Sequence, residues 1–156
     1  DEMRMLLVRK LRATFPEQFI GGIQDSPYAQ TQCPDLILSE HSTWKRIYLH
    51  RMKHSEICIA STGLHQSSGW KIAEYLAAGR AIVSEPLCYE VPGPFQAGKN
   101  YLTYHSAEDC IGQIQTLLTH PEQILQMGQL NRSYYDEWLR PDRLVEKALQ
   151  QAKILL

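Results

Sequence analysis

The chain has 156 residues, 44% of them hydrophobic, which fits one ordinary domain with a full core and excludes wholesale disorder. Sixteen Lys and Arg against seventeen Asp and Glu give a net charge of −1, without the basic excess of a nucleic-acid-binding face. No uninterrupted apolar stretch approaches the ~20 residues that cross a bilayer, and Asp1-Glu2-Met3-Arg4 opens no signal peptide.

In chain order, Met3 to Thr14 carries Met5, Leu6, Val8 and Leu11 among basic residues and predicts an amphipathic helix limited by Pro16. Gln18 to Ile23 reads as a short strand ending in glycines, the stretch from Asp25 to Pro34 as irregular, and Asp35 to Leu38 as a small strand. Ser42 is placed to cap a helix running to about Lys53. Glu56-Ile57-Cys58-Ile59-Ala60 is apolar without alternation, the pattern of a strand covered on both faces. A Ser- and Gly-rich turn leads into a helix from about Trp70 to Ala78, which Gly79 closes, and Ala81 to Ser84 follows as a second buried strand. A Pro- and Gly-rich loop ends in a third strand at Asn100 to Tyr104.

Three helices finish the chain. Ser106 and Asp109 form a capping box for the first, with Ile111, Ile114, Leu117 and Leu118 on one face. Pro121 starts the second, whose stripe is Ile124, Leu125, Met127 and Leu130. Pro141 starts the third, expected to bury Leu144, Val145 and Ala148. Strand–helix–strand alternation with short connections predicts an α/β fold: one Rossmann-like, doubly wound domain over residues 1–156, its sheet parallel and its helices on both faces. The strands at 56–60 and 81–84 are expected to be neighbours, joined by a right-handed crossover.

Cysteines at 33, 58, 88 and 110 form no Cys-x-x-Cys, which argues against a zinc site or a disulfide scaffold and for a reduced, cytoplasmic protein. His50 and His54 are four apart on a basic helix with no third ligand suggested, so no metal is expected. The absence of an initiating Met points to a segment of a longer chain.

In open α/β sheets ligands bind at the carboxyl ends of strands. There the loop 61–69 offers two glycines, three serines, a threonine and His65 before a helix whose N–H groups and dipole favour an anion. Small residues at Ser67, Ser68 and Gly69 allow a phosphate to approach the backbone; an ordinary helix cap reads equally from the spacing. One turn in, Glu74 can accept hydrogen bonds from a ribose diol, or form a surface pair with Lys71. The principal concave site is expected between residues 62–71 and 85–91, open and shallow. Tyr134, Tyr135 and Trp138 read as packing residues rather than a sugar platform, and Glu85 and Glu90 as a carboxylate pair of unknown separation.

Gly69-Trp70-Lys71-Ile72-Ala73-Glu74-Tyr75-Leu76-Ala77-Ala78-Gly79-Arg80-Ala81-Ile82-Val83-Ser84 resembles the donor-site helix and strand of GT-B glycosyltransferases of the glycogen-synthase-like, group 1 type. Glu90-Val91, Gly98-Lys99-Asn100-Tyr101-Leu102 and the helical region ending at Pro121-Glu122 extend the resemblance, which runs from about Glu56 to Leu139. It implies the C-terminal, donor-binding half of a GT-B enzyme, taking a nucleotide sugar as substrate without a cofactor. Gly63, His65, Gln66, Ser67, Ser68, Gly69, Lys71 and Glu74 are the implied donor-binding residues, with no metal and no assigned catalytic residue.

In that family two carboxylates eight positions apart flank the donor, one at the transferred sugar and one at the ribose. Glu74 stands at the ribose position and Gln66 at the sugar position, where it can still hydrogen-bond hydroxyls without a charge. Pro86-Leu87-Cys88 replaces a family Gly-Gly, and the family's diphosphate-gripping Arg and Lys are assigned to no residue. The implied partner is an N-terminal acceptor half of the parent chain, without which the domain would be inactive. The implied role is polysaccharide biosynthesis. The alternative is a non-catalytic nucleotide or sugar-phosphate binding module.

Overall fold

The computed structural model describes residues 2–154; Asp1, Leu155 and Leu156 lie outside them. Helix α1 (Glu2–Thr14) buries Leu7, Val8 and Leu11, residues that share one face by helical spacing. The segment after it departs from the sequence reading. Residues 18–23 form no strand; Ile23 makes a single parallel bridge to Ile37, and Asp35 belongs to a 3-10 turn over Pro34–Leu36. The bridge stops there because the flanking carbonyls turn to a side chain: the Arg12 guanidinium donates to Gly21 O and Asp35 O, and shares Leu36 O with the Ile23 N–H.

Helix α2 (Pro27–Gln32) occupies the stretch expected to be irregular. Ser26 caps it through its hydroxyl, which accepts from Ala29 N at 3.1 Å, and Pro27 takes the first turn, where no N–H is needed. The single helix expected after Ser42 is two: α3 (Glu40–Thr43) and α4 (Lys45–His54), split by extended backbone at Trp44 (ψ 134°). Ser42 does not cap α4, because its hydroxyl pairs with that of Ser39 at 2.8 Å.

Strand β1 (Ile57–Ala60), helix α5 (Gly69–Ala77) and strand β2 (Ala81–Ser84) form the expected crossover. The strands are parallel neighbours, with Ile57 opposite Ala81 and Ala60 opposite Ser84. Strand β3 (Leu102–Thr103), shorter than expected, pairs parallel on the other side of β2. Gly79 sits just past α5 at φ 62°, the left-handed conformation that closes a helix at low cost only for glycine. A Cβ there would meet Gly128 O at 3.2 Å, so α5 and the helix carrying Gly128 approach closely.

Helices α6 (Ala107–Thr119), α7 (Pro121–Tyr134) and α8 (Pro141–Ile154) complete the chain, a π-helical turn at Tyr135–Leu139 joining the last two. Ser106 caps α6 by accepting from Asp109 N, while Asp109 answers to His105 N, one residue earlier than a standard capping box. The α7 stripe differs from the expected one. Met127, Gly128, Asn131 and Tyr134 are buried, whereas Leu125 and Leu130 are exposed. Leu144 and Val145 of α8 are also exposed, as is Ala148, contrary to expectation: no described element packs over that face.

Helices cover both faces of the sheet. On one, Leu7 and Leu11 of α1 meet Ala81, Val83, Cys110, Ile114 and Leu117. On the other, Met52 of α4 and Ile72, Tyr75 and Leu76 of α5 meet Cys58, Ala60 and Ile82. Alternate residues of each strand thus serve alternate faces. All of β2 is at most 1% exposed. Cys58 and Cys110 lie within these layers, and burial pushes both thiols up to about 12.

One buried polar network joins the layers. The Asn131 amide donates to Arg80 O at 2.8 Å and Asn100 O at 2.9 Å, and its oxygen accepts from the Asn100 side chain at 3.2 Å. Asn131→Leu keeps the volume but strands buried partners, so a loss of roughly 2–4 kcal/mol is expected. Urea unfolding measures it; a change below about 0.5 kcal/mol would contradict the role assigned to the network.

Candidate functional site

Because β1 and β2 run parallel, the loops that follow them leave the same sheet edge. The first loop turns tightly at Leu64–Gln66, with His65 at φ 54° and Gln66 at φ 60°. Two consecutive non-glycine residues in the left-handed region cost of order 1–3 kcal/mol each, strain that concentrates at functional loops. Hydrogen bonds from Gln66 N to Gly63 O and from Gly63 N to Ser67 O hold the turn. His65, Gln66, Ser67 and Gly69 are exposed, with Ser68 half-buried.

The N-terminus of α5 follows at once. The Ser67 N–H is taken by Leu64 O at 3.2 Å, which leaves the Ser68, Gly69 and Trp70 N–H groups as the orphan donors of the first helical turn. Gly69, at φ 62°, has nothing within 4 Å of where a Cβ would stand, so the approach to this backbone is open. Lys71 rises beside it. The residue is exposed, and desolvation by its neighbours, then the charge of Arg4, hold its pKa below the ordinary lysine range, Glu74 opposing. Arg4, from the start of α1, reaches the same edge and donates to Thr62 O at 3.2 Å.

Glu74 stands one turn further along α5, with its side chain 25% exposed. Neither sequence reading gave its partners. It forms an ion pair with Lys45 and accepts a 2.8 Å hydrogen bond from Tyr48, both on α4; Lys71 is not in contact-pair distance. Burial, with Tyr75 and Glu74 beside it, pushes the Tyr48 hydroxyl well above the usual tyrosine range, so it remains a donor. Lys45, Tyr48, Trp70, Lys71 and Glu74 line an open cavity of about 430 Å3 between α4 and α5.

The second loop carries Glu85, whose carboxylate accepts from Thr62 N at 2.6 Å and Thr62 Oγ1 at 2.8 Å. Tyr89 donates to His65 O at 3.0 Å. The two loops therefore face each other, as expected, but they do not enclose one shared concavity. A separate hollow of about 420 Å3 lies along the second loop, lined by Leu87, Tyr89, Glu90 and Phe95 among others. The ties from Glu85 to Thr62 and from Tyr89 to His65 run between the loops. Glu85 is thus a loop clamp, and Glu90 is not its partner in this arrangement. Tyr134, Tyr135 and Trp138 pack, as read from sequence. No group of three or more His, Cys, Asp or Glu among the described residues is placed to hold a metal ion.

Lys45, Tyr48 and Arg4, far from the donor helix in sequence, were missed as site residues; Trp70 and Glu85 lay within the expected bounds 62–71 and 85–91 but were given no donor-binding role. Glu85→Ala removes the acceptor for the Thr62 N–H. Faster amide exchange at Thr62 and Gly63 is expected, with a stability loss of about 1–3 kcal/mol. Unchanged exchange at Thr62 would show that the clamp does not hold the loop.

A model of glycosyl transferase-like proteins matches residues 6–151. No curated protein matches the chain. No described helix is long and apolar enough to cross a membrane. The matched region takes in the parallel sheet, both its helical faces and the edge just described except Arg4, and the chain belongs to the glycosyl transferase-like family.

Proposed function

We propose that this domain binds the nucleotide-sugar donor of a glycosyltransferase at the carboxyl edge of β1 and β2. The observation that carries the reading is Glu74, half-buried one turn inside α5 and facing the cavity between α4 and α5. Its two oxygens offer about four lone-pair sites, and Lys45 and Tyr48 engage one on each oxygen. Acceptor capacity remains for a ribose diol without breaking either contact. Lys45 and Tyr48 also fix the rotamer, so the carboxylate is preorganised.

The diphosphate would lie at the N-terminus of α5, against the orphan N–H groups of Ser68, Gly69 and Trp70, where the helix dipole favours negative charge. Lys71 and Arg4 add cationic charge at the same edge. Desolvation first, and then the charge of Arg4, lowers the Lys71 pKa, and an anion bound beside the ammonium would oppose both. In transfer the same groups would stabilise the departing nucleoside diphosphate. Gln66, exposed on the strained turn, would hydrogen-bond the transferred sugar. The acceptor and any catalytic base would come from an N-terminal half of the parent chain, without which this domain would not turn over. Gln66, uncharged where the family resemblance has a carboxylate, favours one other reading: a binding module that holds a nucleotide or sugar phosphate without transfer.

Calorimetric titration with a nucleoside diphosphate and the matching nucleotide sugar tests the assignment. Glu74→Ala removes charge-assisted hydrogen bonds worth about 1.5–3 kcal/mol, so both ligands should bind ten-fold or more weakly. Gln66→Ala should weaken the nucleotide sugar alone. Equal loss for both ligands in both variants, or no loss in either, would reject the donor site and leave Glu74 as an interhelix ion-pair residue.

A further inference from the structure

His65 (φ 54°, ψ 34°) and Gln66 (φ 60°) are consecutive non-glycine residues in the left-handed region, which such residues hold only when their surroundings fix them. The carbonyl of His65 and the N–H of Gln66 belong to one planar peptide unit, whose orientation is set by ψ of His65 and φ of Gln66. Both ends of that unit are held. Its N–H donates to Gly63 O at 3.1 Å within the turn, and its carbonyl accepts from the Tyr89 hydroxyl at 3.0 Å. Among the described residues no other side chain hydrogen-bonds residues 64–66.

Tyr89 comes from a loop that is itself fastened. The Tyr134 hydroxyl donates to Pro92 O, Gly93 lies so close against the Trp138 ring that a Cβ has no room, and the Phe95 and Tyr101 rings stack at 5.2 Å. The tie therefore connects the strained turn to the helical layer behind the second loop. Gln66 is exposed, and its side-chain amide has no hydrogen-bond partner among the described residues, so it is available to a ligand. Where that amide points follows from the torsions that the peptide unit fixes. We propose that Tyr89 is the positioning residue for Gln66, its hydroxyl holding the His65–Gln66 peptide unit so that the second loop sets where the Gln66 amide meets the transferred sugar. The inference rests on the sugar-binding reading of Gln66. Holding the turn in one state beforehand removes an ordering cost from the binding step, so Tyr89 acts on affinity for the sugar without touching it. Glu85 does not share this role, because its bonds go to Thr62, before the turn.

The test uses the 156-residue chain as wild type, Tyr89→Phe, Gln66→Ala and the double variant. Each is titrated by calorimetry with uridine diphosphate, guanosine diphosphate, uridine diphosphate glucose and guanosine diphosphate mannose. Tyr89 is 57% exposed and Phe keeps the ring, so Tyr89→Phe should unfold at the wild-type midpoint. It is expected to weaken the tighter nucleotide sugar about three- to ten-fold, as loss of one hydrogen bond does, and to leave the matching nucleoside diphosphate within about two-fold. In the Gln66→Ala background the same substitution should cost nothing further. Amide exchange at Gln66 in the free protein should quicken in Tyr89→Phe, while exchange at Thr62 stays as in wild type. If wild type binds neither nucleotide sugar, or Gln66→Ala binds it as tightly as wild type, the sugar reading fails and the positioning role falls with it. If Gln66→Ala weakens it and Tyr89→Phe does not, the sugar reading survives and the positioning role is overturned. Additive losses in the double variant would also overturn it, by placing Tyr89 against the sugar itself, as would equal loss of nucleotide and nucleotide sugar in Tyr89→Phe.

Discussion

Parallel pairing of two four-residue strands is the constraint on which the rest of this molecule depends. Parallel neighbours cannot be joined by a hairpin, so α5 must cross over one face, and the strand core must be sealed on both sides. The sequence answers with a β2 buried along its whole length, apolar from Ala81 to Val83, and with α1 and α6 packed against the face opposite α4 and α5. The same pairing sends both following loops to one edge and aims the N-terminus of α5 at that edge. Function is positioned there by topology before any particular side chain is considered.

Side chains, rather than further strands, hold the periphery. Arg12 satisfies carbonyls of the segments at 21 and 35–36, and Arg80 donates to Lys53 O and Ser55 O behind α4. Arg132 reaches Ala77 O at the end of α5 while paired with Asp136. Guanidinium groups suit this role because one planar fork serves several carbonyls at once. A three-stranded sheet is small, and these contacts fasten the helices around it where ladder hydrogen bonds are lacking. Toward the edge the same economy continues: Glu85 on Thr62 and Tyr89 on His65 fix a loop that carries backbone strain.

What could be read from sequence follows how local each determinant is. The region from Glu56 to Ser84 was legible because its signals are short-range: an apolar run, a turn, a helix closed by Gly79 and a second apolar run. Ser106 and Pro121 likewise announced their helices. Before Ser55 the first helix was legible from its periodicity, whereas the stretch from Gln18 to Thr43 was not, since its conformation answers to Arg12 and to Ser26-Pro27 rather than to periodicity. The exposed face of α8 shows the limit of amphipathicity, which says that a face is apolar and not what covers it. Glu74 was found from its place in the helix, while its partners Lys45 and Tyr48 come from an element more than twenty residues earlier. No local rule connects them; only the packing of α4 on α5 does.

The central claim is that a nucleotide occupies the edge formed by the N-terminus of α5 and the cavity between α4 and α5. Amide chemical-shift mapping during titration with a nucleoside diphosphate tests it most directly. The account predicts perturbations concentrated at residues 66–74 and at Lys45 to Tyr48, with Arg4 and Thr62 also shifted. Perturbations centred on Glu56, Arg80 and Ala81 at the opposite strand ends, or none at saturating nucleotide, would contradict it.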